Sequence, residues 1–354
     1  MLTNGLALRR HWLAVPRQRV MLVARRGAYR QLCGQSPPYQ TDLTRRLQPE
    51  PAMPRIYDHL SDLIGNTPVL RLSRLAPAGI EVLGKAEYLN PSSSIKDRPV
   101  REIVLAAERR GELRPGATLL EATSGNTGIS LAMICAERGY ACIVCMPEDM
   151  SMERRRILRA FGARVELTPK EAGMGGAVAR AREIKKQLGD NAFMTRQFDN
   201  SDNPAAHEKT TAAEILADLD GQLDVFVAGV GTGGSLTGTA RMLKQHLPNL
   251  RVVAVEPSKA QAFRGEPFHP HSIQGIGAGF VPDIVDHSLI DDVVAVHEDD
   301  ALQKAARLAQ QHGLLVGPSS GANVWAALQQ AQKLQPGARI LTFLCDSGER
   351  YLST

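Results

Sequence analysis

No apolar run in this chain of 354 residues approaches the roughly 18 continuous apolar positions of a bilayer-spanning helix, so no membrane partner is expected and the body reads as soluble and cytoplasmic. Cysteine is scarce. Cys33, Cys135, Cys142, Cys145 and Cys345 form an odd set without framework spacing, which gives a disulfide scaffold no support. Cys142 and Cys145 have the CxxC spacing, but they lie in Tyr-Ala-Cys-Ile-Val-Cys-Met, a strand-like run whose alternation points the two thiols to opposite faces. The nine histidines show no metal-ligand spacing, so no metal is expected. The body also lacks an excess of basic charge. Residues 1–52 hold nine arginines against Asp42 and Glu50, a local +7 within a total of +5 that leaves −2 for the rest. Nothing in the body therefore calls for nucleic acid.

What is present begins with a basic, acid-poor leader, residues 1–52, that reads as a disordered extension, an organelle-targeting segment or a stretch upstream of a start at Met53. Beyond it, strand and helix patterns alternate. Strand candidates run at 82–87, 117–122, 140–146, 163–167, 224–228 and 251–256, with helix candidates at 129–137, 151–161 and from the glycine loop at 229–235 through Leu243. This grammar predicts an α/β protein of two doubly wound, three-layer domains, 53–200 and 201–354, with a ligand in the cleft between them. The earliest strands could cross from one domain to the other.

Three loops carry candidate chemistry. Gly229-Val230-Gly231-Thr232-Gly233-Gly234-Ser235 passes from a strand to a helix N-terminus, where amide hydrogens and the Thr232 and Ser235 hydroxyls can face a phosphate. It nearly imitates a dinucleotide fingerprint, with Glu256 at the end of the next strand. Its glycines are too crowded for that reading, and it has no Walker lysine. Thr123-Ser124-Gly125-Asn126-Thr127-Gly128 gathers three hydroxyls and an amide at another helix start, a set suited to a carboxylate. In the third loop, Asn90 to Arg98, Lys96 taken alone reads as a solvated lysine. A phosphate cradle and a carboxylate loop elsewhere give it a use, because pyridoxal phosphate (PLP) needs both phosphate anchorage and a lysine amine.

Together these loops resemble the cysteine synthase (O-acetylserine sulfhydrylase) family, tryptophan-synthase-β type (fold type II) PLP enzymes. The resemblance runs from about Tyr57 to Thr354. Its further landmarks are Ile64-Gly65-Asn66-Thr67-Pro68, Met146 to Ser151, Gln197-Phe198, Gln274-Gly275-Ile276-Gly277, Gly317 to Gly321 and Ser347 to Tyr351. It implies Lys96 as the Schiff-base and catalytic lysine, and a phosphate site at Gly231, Thr232, Gly233, Gly234 and Ser235. It also implies Asn126 at the cofactor's phenolic oxygen and Ser319 at its pyridine nitrogen. Thr123, Ser124, Thr127 and Gln197 would hold the substrate carboxylate, with Gly275, Ile276 and Gly277 as a wall. The implied reaction replaces the acetoxy group of O-acetyl-L-serine with sulfide, through an α-aminoacrylate, to give cysteine. The alternatives are O-phosphoserine, a cystathionine β-synthase-like use of serine, and a PLP-binding regulatory partner of serine acetyltransferase. A homodimer is also implied. One departure stands beside the lysine: Ser92 and Ser93 replace two family glycines, and serine enters left-handed backbone less readily.

Overall fold

A computed structural model describes residues 56–352; the leader expected at 1–52 lies outside them, and the described residues belong to one compact unit. Ten strands follow one another as β1 (Val69–Arg71), β2 (Glu81–Lys85), β3 (Thr118–Ala122), β4 (Ala141–Pro147), β5 (Arg164–Thr168), β6 (Ala192–Met194), β7 (Val225–Gly229), β8 (Arg251–Pro257), β9 (Asp292–Val296) and β10 (Arg339–Phe343). The helices are α1 (Asp97–Arg109), α2 (Asn126–Arg138), α3 (Met152–Ala160), α4 (Gly173–Leu188), α5 (Asp202–Ala206), α6 (Ala213–Asp218), α7 (Gly234–His246), α8 (Glu298–His312) and α9 (Pro318–Ala331). A π-helical stretch, His207–Ala212, joins α5 to α6.

The α/β expectation holds. A smaller, all-parallel sheet has the order β5-β4-β3-β6, and a larger one runs β1-β2-β10-β7-β8-β9, parallel except for β1. Helices cover both faces of each, which is why the central strands read as nearly continuous apolar runs. In the larger sheet Val225 and Val227 of β7 pack towards α8 and α9, while Phe226 and Ala228 pack towards α6 and α7. In the smaller sheet Cys142 joins the core of α1, α2 and α3, and Cys145 joins that of α4. The two thiols of the CxxC spacing therefore do face opposite ways.

One helix begins earlier than its apolar periodicity suggests. The helix expected from Ile129 starts at Asn126, so half of the polar loop is the first helical turn, with its N–H groups still needing acceptors. The helix expected over 151–161 runs as α3 from Met152 to Ala160, with the Ser151 hydroxyl capping the Arg154 amide at 3.4 Å. Pro99 falls in the first turn of α1, where its missing N–H costs no helical hydrogen bond.

The two sheets are tied by a buried ionic cluster. Arg98 of α1 reaches Glu87 at 2.7 Å and Glu214 of α6 at 2.7 Å, and the buried Lys85 at the end of β2 lies 3.0 Å from Glu214 and 2.9 Å from Asp218. Burial works against the Arg98 charge, yet the two carboxylates hold its pKa above the ordinary arginine value. Arg98→Met leaves Glu87 buried and unpaired. It should cost about 3–5 kcal/mol, read as a lower urea midpoint at unchanged far-UV circular dichroism.

Candidate active site

Lys96 is the residue immediately before α1 and is half-buried. The two residues that follow it are both buried and both anchored. Asp97 accepts hydrogen bonds from the Ser92 amide at 2.7 Å and from the Ser92 and Ser130 hydroxyls. Arg98 is held by its ionic cluster. The lysine therefore leaves a fixed backbone. Burial pushes its pKa down, opposed by the nearby Cys345 and Asp346, so the amine is shifted towards its neutral, nucleophilic form.

Residues 345–351 line the back of the lysine loop. The Ile95 amide bonds the Cys345 carbonyl at 2.8 Å, the Ser347 amide bonds the Ser93 carbonyl at 3.2 Å, and Ser94 pairs with Asp346 in an isolated bridge. This segment brings in Asp346, which accepts from the Asn126 amide nitrogen at 2.7 Å and from the Tyr351 hydroxyl. It also brings in Arg350, which donates to the Asn126 side-chain oxygen and to the Ser92 carbonyl. Burial raises the Asp346 pKa against those hydrogen bonds, and burial pushes the Cys345 thiol up to about 12. The thiol accepts from the Asn323 amide nitrogen at 3.4 Å, and Ser319 lies buried in the first turn of the same helix, α9.

The phosphate-type loop and the carboxylate-type loop are joined by a single relay. Thr127 donates to the Gln197 side chain at 2.6 Å, the Asn203 amide nitrogen donates to the Gln197 carbonyl at 2.7 Å, and the same nitrogen reaches the Thr232 hydroxyl at 3.1 Å. Gly233 takes a left-handed φ of 85° just before α7, a turn that brings the amides of Gly231, Gly234 and Ser235 to the open helix end. A side chain at Gly231 would run into the Gly275 carbonyl, so the wall at Gly275–Gly277 lies against the cradle. The Gly277 amide also bonds the Val230 carbonyl at 2.9 Å.

Two expected residues also make contacts within the protein. The Ile276 side chain turns into the core with Val227 and Val255, leaving only its backbone for the wall. The Thr123 hydroxyl accepts the Gly125 amide at 3.1 Å and so shapes its own loop. Glu256, the acid of the dinucleotide alternative, is buried and accepts the Phe263 amide at 3.2 Å. It takes no ribose-facing position.

Sequence reasoning missed Arg154. Its guanidinium donates to the Ser124 carbonyl at 2.8 Å and to the Gln274 side chain at 2.5 Å, and lies 5.5 Å from the centre of the Tyr351 ring. Asp346, Asn203 and Ser130 were missed as well. The only available signal was the Ser347–Tyr351 landmark, which marked the place without assigning roles. A trough of about 880 Å³ elsewhere, lined by Arg110, Lys185 and Arg196 among others, has its arginines paired with Glu112, Asp202 and Asp199 and its lysine bound to the Gly189 and Ala192 carbonyls, and contains none of these groups.

The site fits pyridoxal phosphate on its own terms: an amine shifted towards neutrality and a glycine-shaped helix start for a phosphate, in which a Cβ at Gly231 would strike the Gly275 carbonyl. Residues 60–346 match the family described as "Pyridoxal-phosphate dependent enzyme". Cysteine synthase B of Campylobacter jejuni is 50% identical over 300 residues, covering 85% of this chain and 98% of that one. The chain belongs to the cysteine synthase family of pyridoxal-phosphate-dependent enzymes. Among solved structures similar to this family member, O-ureido-L-serine synthase has a TM-score of 0.82 at 46% identity, covering 84% of this chain and 94% of that one. An O-acetylserine dependent cystathionine beta-synthase from Helicobacter pylori has a TM-score of 0.80 at 38% identity, covering 84% and 98%. The cofactor is PLP, the chemistry is β-replacement, and no helix among the described residues is long and apolar enough to cross a membrane.

The serine pair beside Lys96 divides its effects. Ser93 sits at φ 59°, so the left-handed conformation is kept despite its side chain, at an expense of about 1 kcal/mol. Ser92 instead adds a hydroxyl to buried Asp97. Ser93→Gly should leave stability unchanged or raise it by up to about 1 kcal/mol, and Ser92→Gly should lower it by about 1–3 kcal/mol, both by urea titration of the holoenzyme.

Glu121 at the end of β3 is buried, which pushes its pKa up to about 7 against hydrogen bonds from Thr195 and the Gln197 amide. The unfolded chain loses this proton near pH ~4.3. The favourable contribution is thus complete below that value and disappears as pH rises through about 7. Glu121→Gln should gain about 3 kcal/mol relative to the parent between pH ~4 and ~8; a constant difference in urea midpoints across that range would contradict the assignment.

Proposed function

We propose that this enzyme converts O-acetyl-L-serine and sulfide to L-cysteine and acetate, with Lys96 as the residue that joins the cofactor's aldehyde and moves the substrate's α-proton. The observation carrying this reading is the relay from Thr127 through Gln197 and Asn203 to Thr232, which links a carboxylate loop to a phosphate loop in one hydrogen-bonded unit. In the proposal the backbone of Gly231 to Ser235 and the Thr232 and Ser235 hydroxyls hold the cofactor phosphate. Asn126 faces its phenolic oxygen and Ser319 its ring nitrogen. Thr123, Ser124, Thr127 and Gln197 orient the α-carboxylate, and Gly275–Gly277 close one side.

Bound PLP supplies an electron-accepting ring that stabilises negative charge at the substrate α-carbon. The protein's part is placement. A lowered Lys96 pKa leaves its Nζ able to accept the α-proton and later return it to the same carbon. Ser319 offers the ring a neutral hydroxyl rather than a carboxylate, which restrains charge build-up on the ring and favours departure of a β-substituent.

The choice of acetate over phosphate as leaving group draws on the arginines. Arg98 is taken by Glu87 and Glu214, Arg350 by Asn126 and Ser92, and the terminal nitrogens of Arg154 by Ser124 and Gln274. None is left to receive a dianionic phosphate. The family resemblance adds a homodimer and a serine acetyltransferase partner to the proposal; light scattering with and without that partner tests both.

Turnover of the holoenzyme with O-acetylserine plus sulfide, O-phosphoserine plus sulfide, and serine plus homocysteine should show kcat/KM at least about tenfold higher for the first pair. A faster second or third pair would reassign the substrate, and binding of PLP without turnover of any pair would favour a regulatory protein. Lys96→Ala should lose nearly all turnover while keeping its fold by circular dichroism.

A further inference from the structure

The Asn126 side chain is held at both ends by groups of opposite hydrogen-bonding character. Its oxygen accepts from the Arg350 guanidinium, which can only donate, and its nitrogen donates at 2.7 Å to Asp346 Oδ2, the same oxygen that accepts from the Tyr351 hydroxyl and so serves as an acceptor. Turning the amide over would set donor against donor at one end and acceptor against acceptor at the other. One of its two orientations is therefore strongly preferred. The partners are themselves fixed. Arg350 and Asp346 are 8% and 1% exposed. Arg350 is tied to the Ser92 carbonyl, and Asp346 to the Tyr351 hydroxyl and, through its backbone, to Ser94. Asn126 itself is half-buried, at the open end of α2.

We propose that Arg350 and Asp346 are positioning residues for the cofactor, fixing the Asn126 amide so that an N–H, and not its carbonyl oxygen, is available to the cofactor's phenolic oxygen. The proposal rests on the reading of Asn126 given above. An amide nitrogen has two hydrogens; Asp346 takes one, and the second remains for the ligand. A reversed amide would present lone pairs to an oxygen that carries negative charge, weakening retention of the cofactor and altering the electronic state of its ring. The C-terminal segment thereby acts on the cofactor through one side chain on a different helix.

The test uses PLP-loaded enzyme without any amino-acid substrate. Arg350→Met, Asn126→Ala and the double variant are compared by the visible absorption of bound PLP and by the rate at which it is lost on dilution. Each single variant should shift the absorption and release PLP about tenfold faster, the loss of one charge-assisted hydrogen bond. The double variant should be no worse than Asn126→Ala alone. Additive effects would mean that Arg350 acts only through Ser92 and the lysine loop, and would overturn the proposal, as would a lowered Tm with unshifted absorption.

If Arg350→Met fails to load, Asp346→Ser removes the acceptor while leaving the Arg350–Ser92 contact, and the same non-additivity with Asn126→Ala is expected. Additivity there overturns the proposal equally. None of these readouts depends on which amino acid or nucleophile the enzyme prefers, so a failed substrate assignment leaves them standing. An Asn126→Ala chain with the parent's absorption would defeat the positioning role itself.

Discussion

The fixing of Lys96 by the two buried, oppositely charged residues that follow it is the constraint on which the site depends. Asp97 is satisfied by Ser92 and Ser130 within the layer of α1 and α2, and Arg98 by Glu87 and Glu214 on elements of the larger sheet. Each is a charge removed from water that would be strongly unfavourable alone. Because the partners lie on different elements, the lysine cannot shift without exposing or unpairing one of them. The amine itself is left without such a partner and is the group whose pKa falls.

A hierarchy follows. The backbone of the lysine loop is held by charge, the C-terminal segment is held by that backbone, and the polar side chains around the cleft are held by the segment. Arg154 extends the same logic to the cleft's other wall, where its two terminal nitrogens join the Ser124 loop to Gln274. The result is a site whose ligand-facing groups are braced by residues that do not themselves reach the ligand.

Much of this was legible in the sequence because it is local. The phosphate loop is a strand, a crowded set of glycines and a helix start; the opposite facing of Cys142 and Cys145 follows from alternation over four residues. The braces were illegible because each is a contact over a long separation. Asn126 meets Asp346 across 220 positions, and Arg350 meets Ser92 across 258. No periodicity carries such a pair. The helix start at Asn126 was misplaced for a related reason: a polar first turn carries no apolar signal. At the Ser92-Ser93 departure, Ser93 takes a left-handed φ in spite of its side chain and Ser92 adds a bond to Asp97, and no pattern in the sequence distinguishes the two roles.

The position of β10 has a consequence for how the protein is made. The last strand of the chain lies between β2 and β7 in the middle of the larger sheet, and the residues just after it supply Asp346 and Arg350. During synthesis the first strands of that sheet therefore wait, with a paired edge missing, until β10 has left the ribosome. A chain stopped short of β10 has a gap in its central sheet as well as a missing wall behind Lys96. Completion of the sheet and competence to take up cofactor thus arrive together, so incomplete chains are left with no partly functional product.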